Sequence, residues 1–127
     1  MNGKTFLLDT NAIGLYLDIK DFQKKFLPKS DKIIISIISK IEFLSNPLLT
    51  VKNKFVFESF LDTIEIYPIS ITDTTLLSHV ISIRKKYKLK LPDAIIAATA
   101  LVNDATLISG DNAFSKIYNL KFILAKQ

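Results

Sequence analysis

The sequence predicts an α/β domain built around a mostly parallel sheet, and two patterns carry that expectation. Short apolar runs suited to buried strands alternate with longer stretches of helical spacing along the whole chain. Four acidic residues, Asp9, Glu42, Asp93 and Asp111, stand just beyond strands or on the helices between them. In such sheets, sites gather outside the carboxyl ends of the strands.

The elements follow in order. KTFLLD (4–9) is an apolar run ending on an acid, and TNAIGLYL continues with helix-start chemistry, since Asp9, Thr10 and Asn11 are all good caps. DFQKKFL (21–27) reads as a short amphipathic helix stopped near Pro28, and KIIIS (32–36) as a second buried strand. Apolar residues at Ile37, Ile38, Ile41, Leu44 and Leu48 have helical spacing and predict a helix over 37–48. KFVFESFLDTI (54–64) predicts a further helix and IEIYPI (64–69) a third strand. DTTLLSHVISIRKKYKL (73–89) opens on a capping Asp73 and closes on cations, which suits the helix dipole at both ends. LPDAIIAATALVN (91–103) has Pro92 near its start and no charge from Ala94 to Val102, so it reads as a buried helix. ATLIS (105–109) is a fourth strand, GDNAFSKI (110–117) a turn into a short helix, and KFIL (121–124) a fifth strand.

Composition bounds the function. The 127 residues suffice for one domain with a real core, and 49% hydrophobic against 23% charged residues is globular. Three Gly and four Pro leave no room for long flexible linkers. The absence of Cys excludes disulfides and thiolate metal sites, and a single His excludes a His-rich zinc centre. No window approaches the roughly 18 uncharged apolar residues of a membrane span, and Asp9 and Asn11 interrupt the N-terminal apolar run. A cytoplasmic chain without a membrane partner is therefore expected. The net charge of +5, from 17 Lys and Arg against 12 Asp and Glu, attracts polyanions such as RNA.

Each acid taken alone reads as structure. Asp9 and Asp111 suit caps or turns, Asp93 suits the first turn of a helix, and Glu42 suits a solvated helix face. At about 100° per residue, Glu42 falls on the flank of its helix's apolar stripe, where a carboxylate can border a cleft. If the sheet is parallel, Asp9 and Asp111 share one edge. Converging carboxylates repel, and a divalent cation relieves that repulsion. Hard oxygen ligands favour Mg²⁺ or Mn²⁺, which serve phosphodiester hydrolysis.

In this arrangement the chain resembles the PIN domain, in particular the VapC-type toxin ribonucleases of bacterial and archaeal toxin–antitoxin pairs. LLDTNAI is similar to that family's opening motif, with its first acid at Asp9. ISIISKIEF resembles the second, with Ser36 at a strand end six residues before Glu42. LPDAIIAATAL matches the third through Asp93, and LISGDNAF the last through Ser109, Asp111 and Phe114. The resemblance implies a three-layer α/β/α fold with a five-stranded sheet, and Mg²⁺- or Mn²⁺-dependent endoribonuclease activity. It further implies a homodimer, a cognate antitoxin, and transfer or ribosomal RNA as substrate. Asp9, Glu42, Asp93 and Asp111 would be the catalytic and metal-binding residues, supported by Asn11 and Ser109. Relatives often carry another acid before the closing Phe, where this chain has Ala113 after Asn112. That departure leads us to expect one tightly held ion, with a second arriving with RNA.

The run RKKYKLK (84–90) has two readings: a solvated helix end, or a phosphate-binding approach to Asp93 through Arg84, Lys85 and Lys86, with Lys88 and Lys90. Tyr87 is a packing residue or a base-stacking one, and His79 reads as an ordinary helix residue. Two other functions stay open. A catalytically silent module of the same fold would bind RNA or protein without turnover. A phosphatase with an aspartyl nucleophile after the first strand usually needs a second acid two residues on, where Asn11 stands.

Overall fold

A computed structural model describes residues 4–18 and 32–125, and the helix expected over 21–27 lies outside the described residues. Five strands form one sheet: β1 (Thr5–Leu8), β2 (Lys32–Ser36), β3 (Glu65–Tyr67), β4 (Thr106–Ser109) and β5 (Phe122–Leu124). Their order across the sheet is β3-β2-β1-β4-β5, and every neighbouring pair is parallel. Leu7 at the centre pairs with Ile34 on one side and Leu107 on the other. Parallel neighbours need long crossovers. The described helices of those crossovers are α1 (Thr10–Asp18), α2 (Ile37–Leu44), α3 (Val51–Leu61), α4 (Thr74–Tyr87) and α5 (Leu91–Val102). A short 3₁₀ helix, Asn112–Lys116, lies between β4 and β5.

Side chains alternate across each strand and feed two cores. Leu7, Ile34 and Leu107 pack with Leu76, Val80 and Ile83 of α4 and with the inner residues of α5. Phe6, Leu8, Ile35 and Ile108 pack with Ala12 and Ile13 of α1 and with Phe57 and Phe60 of α3. The result is the expected three-layer α/β/α arrangement. Burial on both faces explains why the strands read as continuous apolar runs. In α5 every residue from Ala94 to Ala100 is buried, as its lack of charge required.

Two helices differ most in extent from the expectation. α2 stops at Leu44 rather than 48, because Pro47 has no N–H to donate and disfavours helical backbone at Asn46. Ile41 and Leu48, which the spacing put on a core stripe, are exposed, while Ser39 is buried. α3 begins at Val51 rather than 54 and ends at Leu61, because Thr50 caps it: its Oγ1 accepts the Asn53 N–H at 3.0 Å.

Two features of the topology position the site. The chain builds β2 and β3 on one side of β1 and later β4 and β5 on the other, so its switch point lies between β1 and β4. A crevice opens there at the carboxyl ends of the strands. α4 ends where Lys88 takes a left-handed φ of 56°, and only residues 88–90 separate it from α5. That short reversal puts the basic end of α4 at the same edge as the acidic start of α5.

Candidate active site

Asp9 is the first residue after β1, and its N–H bonds the Ile108 carbonyl of β4 at 3.2 Å. Its own carbonyl accepts the Ile13 N–H at 3.0 Å and its Oδ1 the Ala12 N–H at 2.9 Å. Of the three candidate caps, Asp9 itself therefore starts α1, and Thr10 and Asn11 are freed for other contacts. The remaining oxygen, Oδ2, accepts the hydroxyl of Ser109, which is fully buried at the end of β4. Ser109 Oγ accepts in turn the Asp111 N–H at 2.9 Å. One serine thus ties two acids together across the β1–β4 seam. Asp111 caps the 3₁₀ helix through Oδ1, which accepts the Ala113 N–H at 2.9 Å.

Glu42 approaches from α2. It is exposed, yet its Oε1 accepts the Thr10 hydroxyl at 2.7 Å, a contact between residues 32 apart in sequence. Periodicity gave Glu42 its face but no hint of this partner. Asp93 lies half-buried in the first turn of α5, where free N–H groups and the helix dipole favour negative charge.

All four acids line a single cleft of about 240 Å³, with Thr10, Asn11, Ile96 and Phe114 completing its walls. Asn11 is exposed on the first turn of α1, at the rim. Larger hollows exist, such as one of about 390 Å³ bordered by Gly14, Phe43, Leu48 and Val56. Among the described residues its charged lining is Asp18 and Lys52, so size does not mark the site, while the gathering of acids does.

The electrostatics match that gathering. Burial pushes the Asp9 carboxyl above the usual range. The Ser109 hydroxyl and the Ala12 N–H pull it back, and the Asp93 and Asp111 charges raise it again. Asp93 is raised first by burial, then by Asp111 and Glu42, while Lys90 opposes the shift. The acids therefore destabilise one another when ionised, which a hard divalent cation relieves. In donor chemistry the set fits Mg²⁺ or Mn²⁺. Among the described residues, however, no three carboxylate or histidine side chains are grouped closely enough to form a ready-made metal-binding set.

The basic residues divide. Arg84, Lys85 and Lys86 occupy the last turn of α4, where cations complement the dipole. Arg84 Nε donates to the Leu89 carbonyl at 3.4 Å, folding back over its own loop. Lys86 sits over the Tyr87 and Tyr118 rings, at 5.4 and 5.9 Å from their centroids. Tyr87 is a packing residue whose hydroxyl accepts the Tyr118 N–H at 2.9 Å. Lys90 is the cation whose field reaches Asp93. His79 Nδ1 bonds the Thr75 carbonyl at 2.8 Å within α4 and does not line the cleft.

The sequence matches the PIN domain family over residues 6–120, nearly the whole chain. The chain belongs to the PIN domain family. No curated protein matches it. Among solved structures, this PIN domain is similar to VapBC2 from Rickettsia felis, bound to a DNA fragment from its promoter. That match has 21% identity and a TM-score of 0.80, covering 96% of this chain and 99% of the other. A toxin–antitoxin complex from Klebsiella pneumoniae matches at 28% identity and a TM-score of 0.73, covering 93% and 95%. DNA-bound VapBC from Salmonella typhimurium matches at 22% and 0.77, covering 94% and 97%. Among the described residues of the PIN domain, no helix is long and apolar enough to cross a membrane.

Proposed function

We propose that this PIN domain is a Mg²⁺- or Mn²⁺-dependent endoribonuclease and the toxin of a toxin–antitoxin pair. The observation that carries the reading is the convergence of Asp9, Glu42, Asp93 and Asp111, from four separate segments, on the switch-point cleft. The toxin assignment is supported by the likeness to a Klebsiella pneumoniae toxin–antitoxin complex over almost the full length of both chains. A cognate antitoxin and a second copy of the chain are the partners this reading calls for.

The four carboxylates would hold the ion. When bound, it supplies charge neutralisation and Lewis acidity at the phosphodiester. The protein's own groups do the rest of the positioning. Ser109 holds Asp9 in one orientation and, through the Asp111 N–H, fixes the start of the 3₁₀ helix. Thr10 holds Glu42 at the rim, and Lys90 lends positive field where a phosphate would approach Asp93.

The test is cleavage of single-stranded RNA by the purified chain with Mn²⁺ or Mg²⁺, repeated with Asp9→Asn and Asp93→Asn. Asn also caps helices well, so Asp9→Asn keeps the start of α1. Each substitution is expected to reduce cleavage by more than the roughly 100-fold seen when outer partners of a metal site are lost. Undiminished cleavage by either variant would falsify the proposal. RNA binding without metal-dependent turnover would select the silent module instead.

A further inference from the structure

We infer that Tyr118 is a stacking platform for an unpaired base of the RNA, with Lys86 placed for the adjoining phosphate; this rests on the ribonuclease reading above. Tyr118 is 74% exposed, and Phe55 is the other exposed aromatic among the described residues. The two differ in surroundings. Phe55 shares its side of α3 with the exposed Val51 and, three residues on, the exposed Glu58, whose carboxylate opposes a polyanion. Tyr118 lies instead under the Lys86 ammonium, 5.9 Å from its centroid. Around Lys86, residues 84–90 supply Arg84, Lys85, Lys88 and Lys90 and not one carboxylate. An exposed ring under a cation that belongs to a basic run suits a polyanion that carries flat bases.

The ring also has a firm mount. Its backbone N–H is held by Tyr87 Oη at 2.9 Å, and the preceding Ile117 is buried in the core. An exposed aromatic on a fixed backbone loses little entropy when a base stacks on it. Lys86, already drawn over two rings, is held near where a phosphate would pass.

The 3₁₀ helix, capped by Asp111 in the wall of the acid cleft, leads on to Tyr118. At about 2 Å of rise per residue in a 3₁₀ helix and about 3.5 Å per extended residue, Tyr118 lies within roughly 17 Å of Asp111. The last turn of α4, which holds Lys86, is at the same edge of the sheet. A single strand with one phosphodiester at the acids can therefore set a base a few nucleotides away on Tyr118. A duplex, with its bases stacked inside, has none to offer.

The experiment measures binding of fluorescent RNA oligonucleotides, single-stranded and duplex, to full-length Asp93→Asn protein, which is expected to bind without cutting. In that background Tyr118→Ala is expected to weaken single-strand binding roughly 5- to 150-fold, the range of one lost base–aromatic stack. Tyr118→Phe should keep the affinity, and duplex binding should be unchanged by either. Lys86→Gln should lower the slope of log K against log salt by about 0.7, one phosphate contact on a single strand. Equal loss with Phe, equal loss on duplex, or Tyr118→Ala binding like its parent overturns the inference. So does an unchanged RNA affinity with altered self-association, which would make the ring a protein contact. Cleavage by the wild type with an unmoved Tyr118→Ala affinity overturns this inference alone, whereas a wild type that neither binds nor cuts RNA overturns the ribonuclease reading with it.

Discussion

Ser109 and Ser39 are both fully buried serines, and their contrast isolates what a hydroxyl does in the cleft. Ser109 donates to Asp9 Oδ2 and accepts from the Asp111 N–H at 2.9 Å. Ser39 Oγ meets no hydrogen-bond partner among the described residues. Removing Ser109 takes away the hydroxyl that counters burial at Asp9, so the Asp9 carboxyl must rise further above its ordinary range. It also leaves the Asp111 N–H without its acceptor. Ser109→Ala is thus expected to destabilise the fold by about 1–3 kcal/mol in urea unfolding, and to move the acid limb of the cleavage profile to higher pH. Ser39→Ala should be neutral or slightly stabilising, since no bond is lost. A Ser109→Ala protein as stable as the Ser39→Ala one, with an unmoved pH profile, would refute this role.

Among the elements, α3 shows how caps set boundaries that apolar spacing leaves loose. Its polar and apolar residues are poorly segregated, so the sequence pattern placed it at 54–64. Thr50 starts it at Val51 instead, by accepting the Asn53 N–H. Thr50→Ala should therefore destabilise the protein by about 1 kcal/mol (range 0.5–2), read from the urea midpoint at unchanged slope. Loss of nothing, or loss with a changed slope, would assign the boundary to packing. The strands were legible because burial on both faces makes them unbroken apolar runs, as in Lys32–Ser36 and Thr106–Ser109. The acids were legible as candidates, since each follows a strand or opens or flanks a helix. Their mutual contacts were not. Ser109 and Asp9 are 100 positions apart and meet only because β4 pairs with β1, which no local period records. The same applies to Thr10 and Glu42. Tyr118 had no pattern of its own, because its cation and the hydroxyl that holds its backbone come from α4 and not from its neighbours in sequence.

For the molecule as a whole, the cleft stores unfavourable charge within a chain of net charge +5. Asp9 and Asp93 have folded pKa values raised above the ordinary 3.8, so the folded state binds their protons more tightly than the unfolded state. The stability they contribute is fully present below the unfolded value and is lost as pH rises through the raised folded values. A divalent ion acts in the opposite direction, because it binds the deprotonated carboxylates. At about 100 times its Kd, a ligand specific for the folded state adds roughly 2.7 kcal/mol. In chelator, as pH rises from about 3.8, the wild type is therefore expected to lose melting temperature more steeply than Asp93→Asn, which has no such proton to lose at position 93. With Mn²⁺ added, the wild type should gain stability, and more so at neutral than at acidic pH, while Asp93→Asn gains much less. Scanning calorimetry across that pH range, with and without Mn²⁺, reads both differences at once. Parallel pH curves in chelator would remove Asp93 as a source of strain, and equal Mn²⁺ gains in the two proteins would remove it from the ion's ligands.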